Sequence, residues 1–151
     1  MERYSRNSNN HEKGFTLIEI LIAITILSIG LLAVATMQVS AITGNSLASD
    51  LTEATTLASE KVESLLRIAD NDYEDANLLD TNADGDTGLD DIGANADGSQ
   101  TIGRYTISWN VSVDSPFTDT KTIKVIASWN RGSSPKKVSL QHIISKVGKA
   151  L

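Results

Sequence analysis

Apolar residues fill one stretch of the chain and then thin to a stripe. Between residues 15 and 37 only Glu19 is ionisable, and Thr16, Thr25, Ser28, Gly30 and Thr36 are the remaining interruptions of an apolar run. As a helix rising about 1.5 Å per residue, this run covers about 34 Å, enough to cross a bilayer core of about 30 Å. Further on, Leu47, Leu51, Ala54, Ala58, Val62, Leu65 and Ala69 follow one another at spacings of three and four. That is the period of a helix with one apolar face, and Asp50, Glu53, Glu60, Lys61 and Arg67 fall off the stripe. The first proline is Pro116, so nothing before it breaks a helix by proline chemistry. Residues 15–70 are therefore expected to form one helix, apolar all round over 15–42 and amphipathic over 43–70. Gly30 and Gly44 each weaken it by about 1 kcal/mol relative to Ala. They mark either a bend or melted stretch, or a place where helices approach closely.

Residues 71–100 are rich in Asp, Asn, Gly and Ala and carry no apolar period, so they are expected to form a long loop. The period then switches to two. Tyr105, Ile107, Trp109, Val111 and Val113 alternate with Arg104, Thr106, Ser108, Asn110 and Ser112, the pattern of a half-buried strand. Ile123, Val125, Ala127 and Trp129 continue the alternation beyond a turn at Asp114-Ser115-Pro116. Arg131-Gly132-Ser133-Ser134-Pro135 turns the chain again, and a third strand is expected over 137–147 with Val138, Leu140, Ile143 and Ile144. The fold class is α+β: a long N-terminal helix packed on a small antiparallel β-meander over 101–151, with the amphipathic half of the helix covering the apolar face of the sheet. Trp109 and Trp129 read as core residues of that interface.

Charge is segregated beneath a net value of -6. From Asp70 to Asp97 there are ten acids and no Lys or Arg, and from Lys121 to Lys149 there are seven basic residues and no acid. The two patches either attract each other or form two solvated faces. The acidic total argues against nucleic-acid binding. Cysteine is absent, which excludes a disulfide framework and a thiolate metal site. His11 lies in the leader and His142 on the third strand, far from any nucleophile motif, so the chain is expected not to be an enzyme.

The segment before the apolar run, residues 1–14, is polar, with Arg3, Arg6 and Lys13 set against Glu2 and Glu12. Positive charge beside an apolar helix holds that end in the cytoplasm. The segment can be an uncleaved anchor, part of an ordinary signal peptide, or a leader cut ahead of the apolar run. Ala33-Val34-Ala35 fits an A-x-A cleavage site and would release a secreted calcium-binding module starting at Thr36. Against that, a charge at the centre of a membrane helix costs about 2.5–3.5 kcal/mol, so Glu19 needs a reason, and the helical pattern runs on past Ala35. Near the helix start, Glu19 can also be an interfacial acid that snorkels.

Lys13-Gly14-Phe15-Thr16-Leu17-Ile18-Glu19 resembles the type III signal of type IV pilins and type II secretion pseudopilins. The resemblance implies the pilin fold and cleavage between Gly14 and Phe15 by a membrane-embedded prepilin peptidase, with N-methylation of Phe15. It implies an inner-membrane precursor with its N-terminus cytoplasmic and its head periplasmic. An inner-membrane assembly platform then passes the subunit to other pilins, and Glu19 neutralises a neighbour's Phe15 amine in the filament. A small residue at position 14 suits an extended protease cleft, and an apolar setting favours pairing over leaving either charge alone. Gly88-Leu89-Asp90-Asp91, Arg104–Val111 and Lys121–Val125 more loosely resemble the PilV-type pilus-modification minor prepilins. A minor pilin is thus expected, with a type II secretion pseudopilin as the alternative.

Asp80-Thr81-Asn82-Ala83-Asp84-Gly85-Asp86 spells the front of an EF-hand-like loop, with Asp91 at its twelfth position. Asp80, Asn82, Asp84, Asp86 and Asp91 are accordingly candidate calcium ligands, and calcium is the one candidate cofactor. Asp stands where a bidentate Glu is usual, and Asp-Asn-Gly runs also make plain soluble turns.

Overall fold

The computed structural model describes residues 14–146. Residues 1–13, with most of the expected leader, and 147–151 lie outside them. The chain forms two compact units, Met1–Asn45 and Ser46–Leu151.

One helix, α1 (Leu17–Asn71), supplies the first unit and enters the second. It stays helical through Gly30 and Gly44, and a Cβ built at either would meet nothing within 4 Å. In the first unit its side chains are exposed all round, from Leu17 at 78% to Ile42 at 70%. The most apolar window of α1 has a mean hydropathy of 2.7 and is long enough to cross a membrane. The hydroxyls of Thr25, Ser28, Thr36 and Thr43 donate to the carbonyls of Leu21, Ile24, Ala33 and Val39, three or four residues back. These four hydroxyls are thereby satisfied within the helix itself.

In the second unit the rest of α1 packs on a four-stranded antiparallel sheet, β1 (Gly98–Ile102), β2 (Tyr105–Val113), β3 (Thr120–Arg131) and β4 (Ser134–Ser145), in that spatial order. Register places Ile107, Ala127 and Val138 in one row, and Trp109, Val125 and Leu140 in the next. Side chains alternate between faces, so these rows share the helix side with Tyr105, Val111, Ile123 and Trp129. Ala54, Ala58 and Leu65 of α1 and Leu78 of the following loop complete the core, each fully buried. Tyr105 and Trp129 meet in a tilted arrangement with ring centroids 5.7 Å apart. Both tryptophans are core residues, as their alternation implied.

The structure departs from the sequence expectations at three points. A fourth strand, β1, begins inside the region read as loop. It joins β2 through Gly103-Arg104, where Gly103 takes φ 58° at the first central position of a two-residue turn. The β3–β4 turn is likewise only Gly132-Ser133, so β4 starts at Ser134 and includes Pro135. Secondly, the buried line of α1 keeps Ala54, Ala58 and Leu65 of the apolar stripe but begins at Asp50 rather than Leu51. Asp50 is buried while Leu51 is 40% exposed. Asp50 gains from burial what a leucine could not, because Arg104 and Arg131 both pair with its carboxylate. Lys61, another residue off the stripe, lies with its ammonium 3.5 Å from the centre of the Trp109 ring, and burial lowers its pKa. Thirdly, β2 is buried on both faces: Ser108, Asn110 and Ser112 are at most 2% exposed. The expected half-buried strand has a second cover, the acidic loop.

Candidate functional site

Two places carry chemistry: the start of α1 and the acidic loop on the outer face of the sheet. Gly14 and Phe15 precede the helix, Phe15 is 84% exposed, and no other atom lies within 4 Å of where a Gly14 side chain would begin. Glu19 does not stand alone. Its Oε2 accepts the Thr16 main-chain N–H at 3.1 Å and the Thr16 hydroxyl at 3.0 Å. The Glu19 N–H in turn donates to Thr16 Oγ1 at 3.3 Å. This is a reciprocal capping box, in which Thr16 and Glu19 satisfy each other's orphan main-chain donors. Thr16 is therefore the N-cap of α1, a role the signal resemblance did not assign, although Thr-x-x-Glu ahead of an apolar run is the usual spelling of such a cap. The arrangement aims the Glu19 carboxylate back at the segment where cleavage after Gly14 would create the Phe15 amine.

The loop from Asp72 to Asp97 contains three short 3-10 turns, Ala76–Leu78, Gly85–Thr87 and Gly93–Asn95. It is fastened to the sheet by side chains from both directions. Asn110 Nδ2 donates to the carbonyls of Leu89 and Asp91, while its Oδ1 accepts the N–H of Asp97. Asp97 accepts the Val111 N–H at 2.8 Å, just where β1 no longer pairs with β2, so a carboxylate replaces the missing strand partner. The other oxygen of Asp97 takes the N–H and hydroxyl of Thr81. Ser108 Oγ accepts the N–H of Gly93, and Ser112 donates to Asp86 at 2.6 Å.

Lysines from the sheet complete the fastening. Lys121, 1% exposed, donates to the carbonyls of Tyr73 and Leu78 and sits 3.6 Å from Glu74. Lys146 pairs with Glu74 at 3.1 Å and Lys124 with Asp90 at 2.8 Å. The acidic and basic segments thus attract each other within one head. Hydrogen bonding from Lys146, helped by the charge of Lys121, lowers the pKa of Glu74. Lys124 does the same for Asp90, and the hydroxyls of Ser112 and Ser115 do it for Asp86.

The candidate calcium ligands are distributed through this fastening. Gly85 takes φ 56°, the sharp turn expected of it. Asp80 accepts the N–H groups of Asp84 and Gly85, and Asn82 Oδ1 also accepts that of Asp84. Asp86 is turned to Ser112, and Asp91 contributes its main-chain carbonyl to Asn110. Partial burial, with Asp80, Asp97 and Asp91 nearby, raises the pKa of Asp84. Among the described residues no three Asp, Glu or His side chains form a group that could hold a metal ion. His142 is exposed on β4, and His11 and Lys13 lie outside the described residues.

Residues 9–35 match the family model of the prokaryotic N-terminal methylation motif. Comparison with curated proteins returns no match, and comparison with solved structures returns none. The matched segment spans Gly14, Phe15, Glu19 and most of the exposed apolar half of α1. With a long helix packed on an antiparallel sheet behind it, the chain has a pilin-like α+β fold, and the N-terminal methylation motif indicates a type IV pilin-like or pseudopilin precursor, which implies processing by a prepilin peptidase and pilin-type assembly.

Proposed function

We propose that the protein is a minor pilin of a type IV pilus, acting in pilus modification or assembly, and that it joins or primes the filament. The observation that carries this is the capped, acid-bearing start of an apolar helix within the methylation motif. In this reading the peptidase cuts between Gly14 and Phe15 and methylates Phe15. The precursor sits in the inner membrane with its head periplasmic until the assembly platform transfers it. Glu19 exchanges its cap for a neighbour's Phe15 amine, and the chain is the substrate of an enzyme rather than an enzyme. The lack of a cysteine pair supports a minor role, as do the looser likenesses at Arg104–Val111 and Lys121–Val125. A type II secretion pseudopilin would use the same helix and the same pairing.

N-terminal sequencing with mass spectrometry of the mature protein tests the processing. Methylated Phe15 is expected; a chain starting at Thr36 would refute it in favour of a secreted module. Glu19→Val should leave cleavage intact and impair incorporation, and normal incorporation would remove the pairing role. Deletion of the chain separates the machines: loss of pili with intact secretion is expected, and the reverse would establish the pseudopilin. Calcium in the loop is a separate proposal, supported by the Asp80-x-Asn82-x-Asp84 spacing and the sharp turn at Gly85. Calorimetric titration of the head at millimolar calcium tests it, and absence of both heat and thermal shift would end it.

A further inference from the structure

β4 is an edge strand, and its free side can be assigned residue by residue. The two-residue turn makes Arg131 and Ser134 a hydrogen-bonded pair, and at the other end Lys146 N–H donates to the Asp119 carbonyl at 2.8 Å in the same phase. Antiparallel alternation then turns the N–H and C=O groups of Lys137, Ser139, Gln141, Ile143 and Ser145 away from β3. Among the described residues no strand lies beyond them. Pro135 occupies the same outward phase, where it offers no N–H, and Lys136 and Lys137 follow it. Proline and lysine are the usual guards of an exposed edge. They protect only its beginning, because Val138–Ser145 carries neither.

The unguarded half borders a groove of about 880 Å³ between the end of α1 and β4. Leu66 and Ala69 of α1 and Ile144 of β4 give it an apolar floor, and Ile143, paired with Thr122, borders it from a position whose side chain falls on the other face of the sheet. Asp70, Asp72 and Asp119 also line it. The lysine there, Lys146, is already paired with Glu74. A free strand edge beside a helix, with an apolar floor and an acidic rim, matches the geometry by which extended peptides add to a sheet.

We propose that residues 139–145 of β4 form a strand-addition site for an extended segment of a partner protein bearing Lys or Arg at alternate positions. Main-chain bonds to Ser139, Gln141 and Ile143 supply the pairing, and the acidic rim selects the basic strand. This holds whether the filament is a pilus or a secretion pseudopilus.

The test uses the full chain in detergent micelles, read by amide hydrogen exchange, with the blocked peptides KVKVKVK and EVEVEVE as probes. The lysine peptide should slow exchange at Ser139, Gln141 and Ile143 by about tenfold, and the glutamate peptide should not. Gln141→Pro, which removes one outward N–H and no bond to β3, should abolish the slowing. Should that variant fail to fold, Asp70→Asn with Asp72→Asn provides the check by weakening the lysine peptide alone. No slowing with the lysine peptide, or equal slowing with both peptides, overturns the proposal. Slowing without peptide that grows with protein concentration also overturns it, by making a second copy the occupant.

Discussion

Lys121 offers the sharpest test of how the acidic loop is held. Replacing it with methionine keeps a long apolar stem in a site that is 1% exposed, and deletes only the ammonium. That ammonium donates to the Tyr73 carbonyl at 2.7 Å and the Leu78 carbonyl at 3.0 Å, and lies 4.4 Å from the centre of the Tyr73 ring. The bond to Leu78 is buried, so its carbonyl is left without a partner, whereas the Tyr73 carbonyl is only partly buried and can turn to water. A hydrogen bond to a charged group is worth about 1.5–3 kcal/mol, and an orphaned buried acceptor costs about 1–3 kcal/mol. Relief from burying a charge offsets part of this. The expected net loss is about 2–3 kcal/mol, which moves the urea midpoint of a domain this size down by about 1–2 M. The assay is urea unfolding of the fragment from Ser46 onward, followed by the fluorescence of Trp109 and Trp129. A loss below about 0.5 kcal/mol would refute the reasoning, since it would mean the two carbonyls are satisfied without the ammonium.

Asn110→Ala removes three bonds to the loop and should cost about 2–4 kcal/mol. Hydrogen exchange should quicken over residues 89–97 while β3 and β4 keep their protection; uniform quickening would contradict a local clasp. Gly98→Val puts a side chain into the Trp109 indole, which packs directly against Gly98, and should cost about 1–3 kcal/mol with a changed near-ultraviolet circular dichroism of tryptophan. Thr16→Ala should weaken the start of α1 by about 0.5–2 kcal/mol while Thr16→Ser restores it, read by exchange of the Leu17 to Ile20 amides. Acid should loosen the loop before the sheet. The depressed pKa values of Glu74, Asp90 and Asp86 contribute stability at neutral pH that is lost as pH falls through their folded values, below the ordinary carboxylate range. Asp84, raised in the folded state, contributes with the opposite sign, so proteolytic nicking within 72–97 near pH 3 measures whether the three outweigh the one.

Periodicity found the elements whose own side chains determine them. The helix was legible because apolar residues recur every three or four positions, and β2 and β3 because they alternate. What escaped was decided by partners distant in sequence. Asp50 looks like a solvated residue until Arg104 and Arg131 are brought to it across the fold. The serines and Asn110 of β2 read as a wet face until a loop supplies carbonyls, N–H groups and carboxylates to meet them. β1 is short and polar, and pairing rather than pattern makes it a strand, although Gly103-Arg104 ahead of Tyr105 was a readable turn signal. At the processing segment, Gly14, Phe15 and Glu19 were visible as a motif, while the Thr16 to Glu19 cap follows from elementary helix chemistry rather than resemblance.

Because Thr25, Ser28, Thr36 and Thr43 spend their hydroxyls on their own helix, residues 20–37 of α1 ask nothing polar of their surroundings. Such a surface is equally at home among acyl chains and among other helices, so exchanging one for the other breaks no hydrogen bond along its length. The one ionisable side chain of the apolar half is then Glu19 at its start, which Thr16 already caps from within the same chain.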